Sequence, residues 1–151
     1  STTTFDPKAP ITRAQFAAIC ARFDTGKSSG TQSFTDIKGH WAEKYIERAA
    51  ELGWIKGFED GTFRPYKTIS RQEAVAMLDR LYQVLGGKTD VVSEKAFADD
   101  AKIGDWARDS VYAMRQTGIM QGKENNQFCP TDGYTAEQSI VTIERMYQII
   151  K

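Results

Sequence analysis

The amino-acid sequence predicts an all-α fold: helix-loop-helix repeats around a shared central three-helix bundle. Two observations lead there. The chain repeats itself, because the segment from Trp41 to Tyr82 overlies the segment from Trp106 to Tyr147 at a shift of 65 positions without a gap. Trp41/Trp106, Ala42/Ala107, Gly53/Gly118, Gly57/Gly122, Phe63/Phe128, Pro65/Pro130 and Arg80/Arg145 are identities. The N-terminus joins at a shift of 58, which lays Phe5, Pro7, Ile11, Thr12, Arg13 and Arg22 on Phe63, Pro65, Ile69, Ser70, Arg71 and Arg80. Self-similarity at a fixed shift means one supersecondary unit stacked on copies of itself. The second observation is an apolar stripe at helical spacing in the same place of each copy.

The units divide as residues 1–24, 34–85 and 97–151, all in one compact domain. In the second, Trp41, Ala42, Tyr45, Ile46 and Ala49 recur as one helical face, and Gly53 stands where that helix would end. Trp106, Ala107, Val111 and Met114 with Gly118 repeat the pattern. Gly57 to Pro65 is too rich in Gly, Asp and Pro for regular structure and reads as a shaped loop anchored by Phe63. A second helix follows, with Ala74, Val75, Met77, Leu78, Leu81, Tyr82 and Leu85 on a broad apolar stripe. Phe16, Ala17, Ile19, Cys20 and Phe23 match it, as do Ile140, Ile143, Met146, Tyr147 and Ile150, so the three second helices are expected to share a core. Asp24 to Ser33 and Gly86 to Lys95, rich in Gly, Ser, Thr and Lys, read as connectors.

The first unit is truncated, since Phe5 already belongs to the loop and nothing before it supplies a tryptophan helix. The apolar side of Phe16 to Phe23 is therefore expected to expose a patch open to an upstream segment or a second chain.

Composition narrows the function. Twenty Lys and Arg balance twenty Asp and Glu, and no basic run marks a face for nucleic acid. No apolar stretch reaches the roughly 20 residues that span a bilayer. Cys20, at the helix position of Leu78 and Ile143, reads as a small core residue, and Cys129, at the loop position of Arg64, as a surface thiol. No metal or cofactor is expected.

Thr12-Arg13-Ala14-Gln15, Ser70-Arg71-Gln72-Glu73 and Thr135-Ala136-Glu137-Gln138 open the three second helices. Ser or Thr with Glu or Gln three residues on is a capping box, worth about 1 kcal/mol each, and accounts for Gln15 and Glu73 without further function. Arg13 and Arg71 are different, because a cation in the first turn opposes the helix dipole and needs another reason to be there. Either a bound anion or an ion pair with a neighbouring unit, through Asp36 or Asp99, would supply one.

The order Phe34-Thr35-Asp36, Trp41-Ala42, Gly53, Gly57 to Pro65, then Ile69-Ser70-Arg71-Gln72-Glu73, resembles an S-layer homology repeat, whose signature is an ITRAE-type motif after a GYPDGTF-type loop. The third unit keeps Phe97-Ala98-Asp99, Trp106-Ala107, Gly118, Gly122, Phe128 and Pro130, and the truncated first keeps Ile11-Thr12-Arg13-Ala14-Gln15. The resemblance implies a pseudo-threefold helical domain whose grooves, formed between adjacent units, bind secondary cell-wall polysaccharide, commonly carrying pyruvylated N-acetylmannosamine, on the outside of a bacterial cell wall or S-layer. The residues it points to are Arg13, Arg71, Asp36, Asp99, Trp41, Trp106, Gln15 and Glu73. Trp41 and Trp106 either line the grooves or pack; Asp36 and Asp99 either cap the following segment or contact sugar. Ala136 removes the cation from the third motif and Glu137 adds a negative charge, so that groove is expected to be weak or dead. Replacing Arg13 or Arg71 by Ala is expected to weaken binding and hardly alter folding.

Two rival classes remain. A two-carboxylate glycan hydrolase is disfavoured because recurring acids such as Glu59 and Glu124 lie in equivalent places and the one histidine, His40, has Asp105 as its counterpart. Glu59-Asp60-Gly61 lacks the alternating oxygen ligands of a calcium loop. A protein interaction module completed by a partner is the stronger rival.

Overall fold

The computed structural model describes residues 6–23, 29–30, 34–90 and 95–150, and Arg22 only in its backbone. Phe5 and most of the first connector lie outside the described residues. Among the described residues five α-helices form: α1 (Arg13–Cys20), α2 (Glu43–Glu51), α3 (Arg71–Val84), α4 (Asp105–Thr117) and α5 (Ala136–Ile150), with short 3-10 turns at Ala21–Phe23, Asp100–Lys102 and Glu124–Asn126. Among the described residues there is no strand, only isolated bridges. The fold is all-α.

Each second helix starts where its capping box places it. In α1 the Gln15 N–H donates to Thr12 Oγ1 at 3.1 Å while the Thr12 N–H donates to Gln15 Oε1 at 2.8 Å. Ser70 with Glu73, and Thr135 with Gln138, make the same reciprocal pair. The first helices end at left-handed glycines, Gly53 at φ 82° and Gly118 at φ 80°, the conformation that a helix stop requires and only glycine adopts freely. Gly57 and Gly122 serve closeness instead: a Cβ there would lie 2.2 Å from the Phe34 ring and 2.4 Å from the Phe97 ring.

The repeats interlock in a ring. The Ile11 N–H donates to Tyr134 O (2.9 Å), the Tyr134 N–H to Ile69 O (2.9 Å), and the Ile69 N–H to Ile11 O (3.1 Å), so three equivalent positions close a cycle of backbone bonds. Each loop also caps the second helix of another unit: Arg13 and Ala14 donate to Lys67 O and Pro65 O, Arg71 and Gln72 to Asp132 O and Pro130 O, Ala136 and Glu137 to Ala9 O and Pro7 O. The first helix of each later unit packs on the second helix before it, α2 on α1 and α4 on α3.

One continuous cluster of buried side chains serves all units, with Phe16, Cys20, Val75, Leu78, Leu81, Tyr82, Ile143 and Met146 from the second helices and Phe63 and Phe128 from the loops. Ile19 and Phe23 are partly buried against it. Ile140 and Tyr147 depart from expectation: both are exposed, together with Val141 and Ile149, so the open apolar face lies on α5 and not on Phe16 to Phe23. The reason is in the pairing, since α1 is covered by α2 whereas no helix among the described residues covers α5 in the same way. Burial pushes the Cys20 thiol far up, as expected of an inert core cysteine.

Candidate functional site

Arg13 and Arg71 are buried, at 5 % and 3 % exposure. Each reaches across to the loop of the next unit. Arg13 Nε donates to Phe63 O at 2.8 Å and Nη2 to Lys56 O at 2.8 Å; Arg71 Nε donates to Phe128 O and Nη2 to Gln121 O, both at 2.9 Å. The guanidinium carbons lie 4.5 Å and 4.9 Å from the ring centres of Phe63 and Phe128, within the range of a cation–π contact. The partners are therefore backbone carbonyls and aromatic faces, not Asp36 or Asp99. Burial lowers the Arg13 pKa to about 10, which leaves it cationic near neutral pH, and shifts Arg71 in the same direction.

Asp36 and Asp99 hold the same loops from the other side. The N–H groups of Phe63 and Arg64 donate to the two Asp36 oxygens, each at 2.8 Å, and those of Phe128 and Cys129 to Asp99 at 2.9 and 2.8 Å. Arg64 and Cys129 sit at equivalent left-handed positions, both at φ 59°. Such residues are uncommon there, and the carboxylate fork fixes the turn. Each aspartate thus braces a loop far along the chain instead of capping the segment after it.

Trp41 and Trp106 are 63 % and 62 % exposed. Trp41 lies just ahead of α2 and Trp106 in the first turn of α4, while Ala42, Ile46 and Ala49, and Ala107, Val111 and Met114, take the buried positions. Tyr45 is likewise on the outer side. The packing tryptophan is Trp54, which the repeat did not flag because Ile119 stands in its place.

Arg71 opens onto a cavity of about 480 Å³ between the head of α3, residues 120–123 and the outer side of α5. Lys8, Lys123 and Arg145 line it with Arg71, against the single carboxylate of Glu137, and Thr135 and Gln138 add neutral polar groups. Lys123 is 2.9 Å from Asp132. Glu137 thus belongs to the Arg71 groove, whereas Ala136 lines a different, largely apolar cavity of about 350 Å³ with Trp41, Gln15, Ile19 and Ile140. Lys8, Lys123 and Arg145 were not singled out in the sequence; Arg145 alone carried a signal, as the repeat partner of Arg80. Glu73 and Gln15 remain engaged in their capping boxes, and Glu73 also meets Lys67 at 3.3 Å.

The S-layer homology domain model matches residues 1–17, 33–75 and 96–133. An amylopullulanase of Thermoanaerobacterium thermosulfurigenes is 34 % identical over 93 % of this chain and 8 % of its own length. An endoglucanase of Bacillus sp. (strain KSM-635) is 33 % identical over 97 % of this chain and 16 % of its own. A cellulosome-anchoring protein of Acetivibrio thermocellus is 48 % identical over 51 % of this chain and 19 % of its own. The chain thus spans less than a fifth of each of these relatives. It belongs to the S-layer homology domain family, and with it to the bacterial cell surface.

Proposed function

We propose that the chain is a non-catalytic anchoring module that binds secondary cell-wall polysaccharide in grooves between repeats, with the carboxylate of a pyruvylated sugar facing Arg71. The observation that carries this reading is the Arg71 cavity, where four cations face one carboxylate. Two bonds of the Arg71 guanidinium go to loop carbonyls, so the fork is held rigid while it keeps N–H groups to spare. A rigid cationic fork suits a carboxylate, and Arg145 lines the same groove, with Lys123 beside its partner Asp132. The exposed indoles of Trp41 and Trp106 offer flat apolar faces of the kind that sugar rings stack on. The anchoring protein among the relatives supports the reading by its name. The enzymes match over a small share of their length, which fits a module appended to catalytic parts elsewhere.

Titration calorimetry of the chain against purified wall polysaccharide, with pyruvate present and after its removal, tests this. Loss of the ketal should cost at least about tenfold in affinity, or roughly 1.4 kcal/mol. Glu137→Gln, which removes the opposing charge, should tighten binding severalfold. Equal affinity for both glycans, or no effect of Glu137→Gln, would contradict the assignment of the anion to this groove.

A further inference from the structure

The groove between α1 and α5 is the Arg71 groove with its charges rewritten. Moved on by one unit, Arg71 becomes Ala136, Lys8 becomes Tyr66, and Gln138 and Val141 of α5 become Gln15 and Ala18 of α1. Gln15, Ala18, Ala136 and Trp41 line the cavity of about 350 Å³ there, and none of its described lining residues is charged. Glu137, expected to oppose an anion in this place, belongs to the Arg71 groove. The first N–H groups of α5 are engaged as well, because Ala136 and Glu137 donate to Ala9 O and Pro7 O. Neither a cation nor a free helix end is offered to an anion by the described residues of this groove.

Aromatic side chains take the place of the cations. Trp41 is 63 % exposed on the cavity wall, and Tyr66 is 78 % exposed. His40 lies between them, its ring centre 5.4 Å from that of Trp41 and 5.0 Å from that of Tyr66. Two bonds fix this spacer: His40 Nδ1 accepts the Ala42 N–H at 3.0 Å, and the His40 backbone N–H donates to Ile37 O at 2.9 Å. Tyr66 is held at the head of α1, since its neighbours Pro65 and Lys67 accept the Ala14 and Arg13 N–H groups at 3.1 and 2.9 Å. The third unit has Trp106, Asp105 and Thr131 in the same places, so the sequence writes this triad once.

We propose that the Ala136 groove is a second glycan site, one that takes an uncharged sugar ring against the exposed faces of Trp41 and Tyr66. It rests on the polysaccharide reading but makes no use of Arg71. Aromatic faces left in water beside a cavity gain from being covered, and a sugar ring brings an apolar C–H face to them while its hydroxyls stay at the wet rim. Pockets of this kind add a few polar groups that set orientation. Gln15 supplies one: its Oε1 accepts the Thr12 N–H at 2.8 Å, so its NH2 is the group left to donate to a hydroxyl oxygen. A carboxylate fits less well, because it would lose water against Ile19 and Ile140 with no cation in return.

Depyruvylated wall polysaccharide, followed by NMR, tests this site without an anion for Arg71. It should shift the Trp41 indole N–H and the Ala18 and Ala136 amides while the Gly122 and Lys123 amides stay still. Trp41→Ala and Tyr66→Ala should each weaken this binding at least about fivefold without lowering the melting temperature. Should Trp41→Ala melt early, Tyr66→Ala decides, since that side chain is the more exposed. Raising the sodium chloride concentration should weaken the Gly122 response to a pyruvylated fragment and leave the Trp41 response to the depyruvylated glycan unchanged. A still Trp41 signal, full affinity in the Tyr66→Ala protein, or a salt-sensitive Trp41 response would overturn the proposal. If Trp41 is silent while the pyruvylated fragment moves Gly122 and Lys123, this site falls and the Arg71 assignment stands. If Trp41 responds and Gly122 never does, the Arg71 assignment falls and this site stands; silence of both toward either glycan overturns both.

Discussion

Arg13 and Arg71 tie two scales of the molecule together, because each is a first-turn residue whose hydrogen bonds belong to the next repeat. Removing Arg71 would leave the carbonyls of Gln121 and Phe128 without their donors, at about 1–3 kcal/mol for the buried Phe128 group and less for the exposed Gln121. Arg71→Ala should therefore lower the urea-unfolding free energy by roughly 2–4 kcal/mol, contrary to the expectation that folding would hardly change. A loss under about 0.5 kcal/mol, as at ordinary surface sites, would show that the bracket is dispensable. The sequence pointed to these arginines through the dipole argument, since a cation at that end of a helix demands a cause. It could not supply the cause, because the acceptors are backbone carbonyls about fifty residues away and carry no side-chain signature. The same holds for Asp36 and Asp99, whose partners are loop N–H groups.

Helices were legible wherever a local rule was enough. The three capping boxes stand as read, and Ser70→Ala should cost about 1 kcal/mol with little effect on other elements. Leu78 is fully buried in α3, so Leu78→Ala should cost about 2–5 kcal/mol in the same unfolding measurement. A few tenths would refute its place in the core. Periodicity misled where burial depends on a neighbour. Ile140 and Tyr147 hold the positions of Val75 and Tyr82, yet they are exposed because the helix that covers α3 has no counterpart on α5 among the described residues. Trp41 and Tyr45 were read into the apolar face of the first helix, but the small residues Ala42 and Ala49 form its contact with Ile46. Close helix approach favours small side chains there and leaves the large aromatic ones outside.

Across the whole molecule, the repeat announced three equivalent units but not the way they close. The cycle through Ile11, Ile69 and Tyr134 is made of backbone bonds between residues 58 to 123 positions apart, and no side-chain pattern encodes it. That closure creates the groove, because it sets the head of α3, loop residues 120–123 and α5 around one cavity. Lys8, Lys123 and Arg145 come from three separate stretches of chain, so their convergence on Arg71 was invisible in sequence. In the proposed function an anionic sugar is held in this groove. Side-chain and backbone NMR during titration with a pyruvylated wall fragment tests it most directly. The Arg71 Nε–H and Arg145 Nε–H resonances, with the amides of Gly122 and Lys123, should move together and saturate at one affinity. If those signals stay still while others elsewhere on the surface shift, the anion binds outside the groove and the account is wrong.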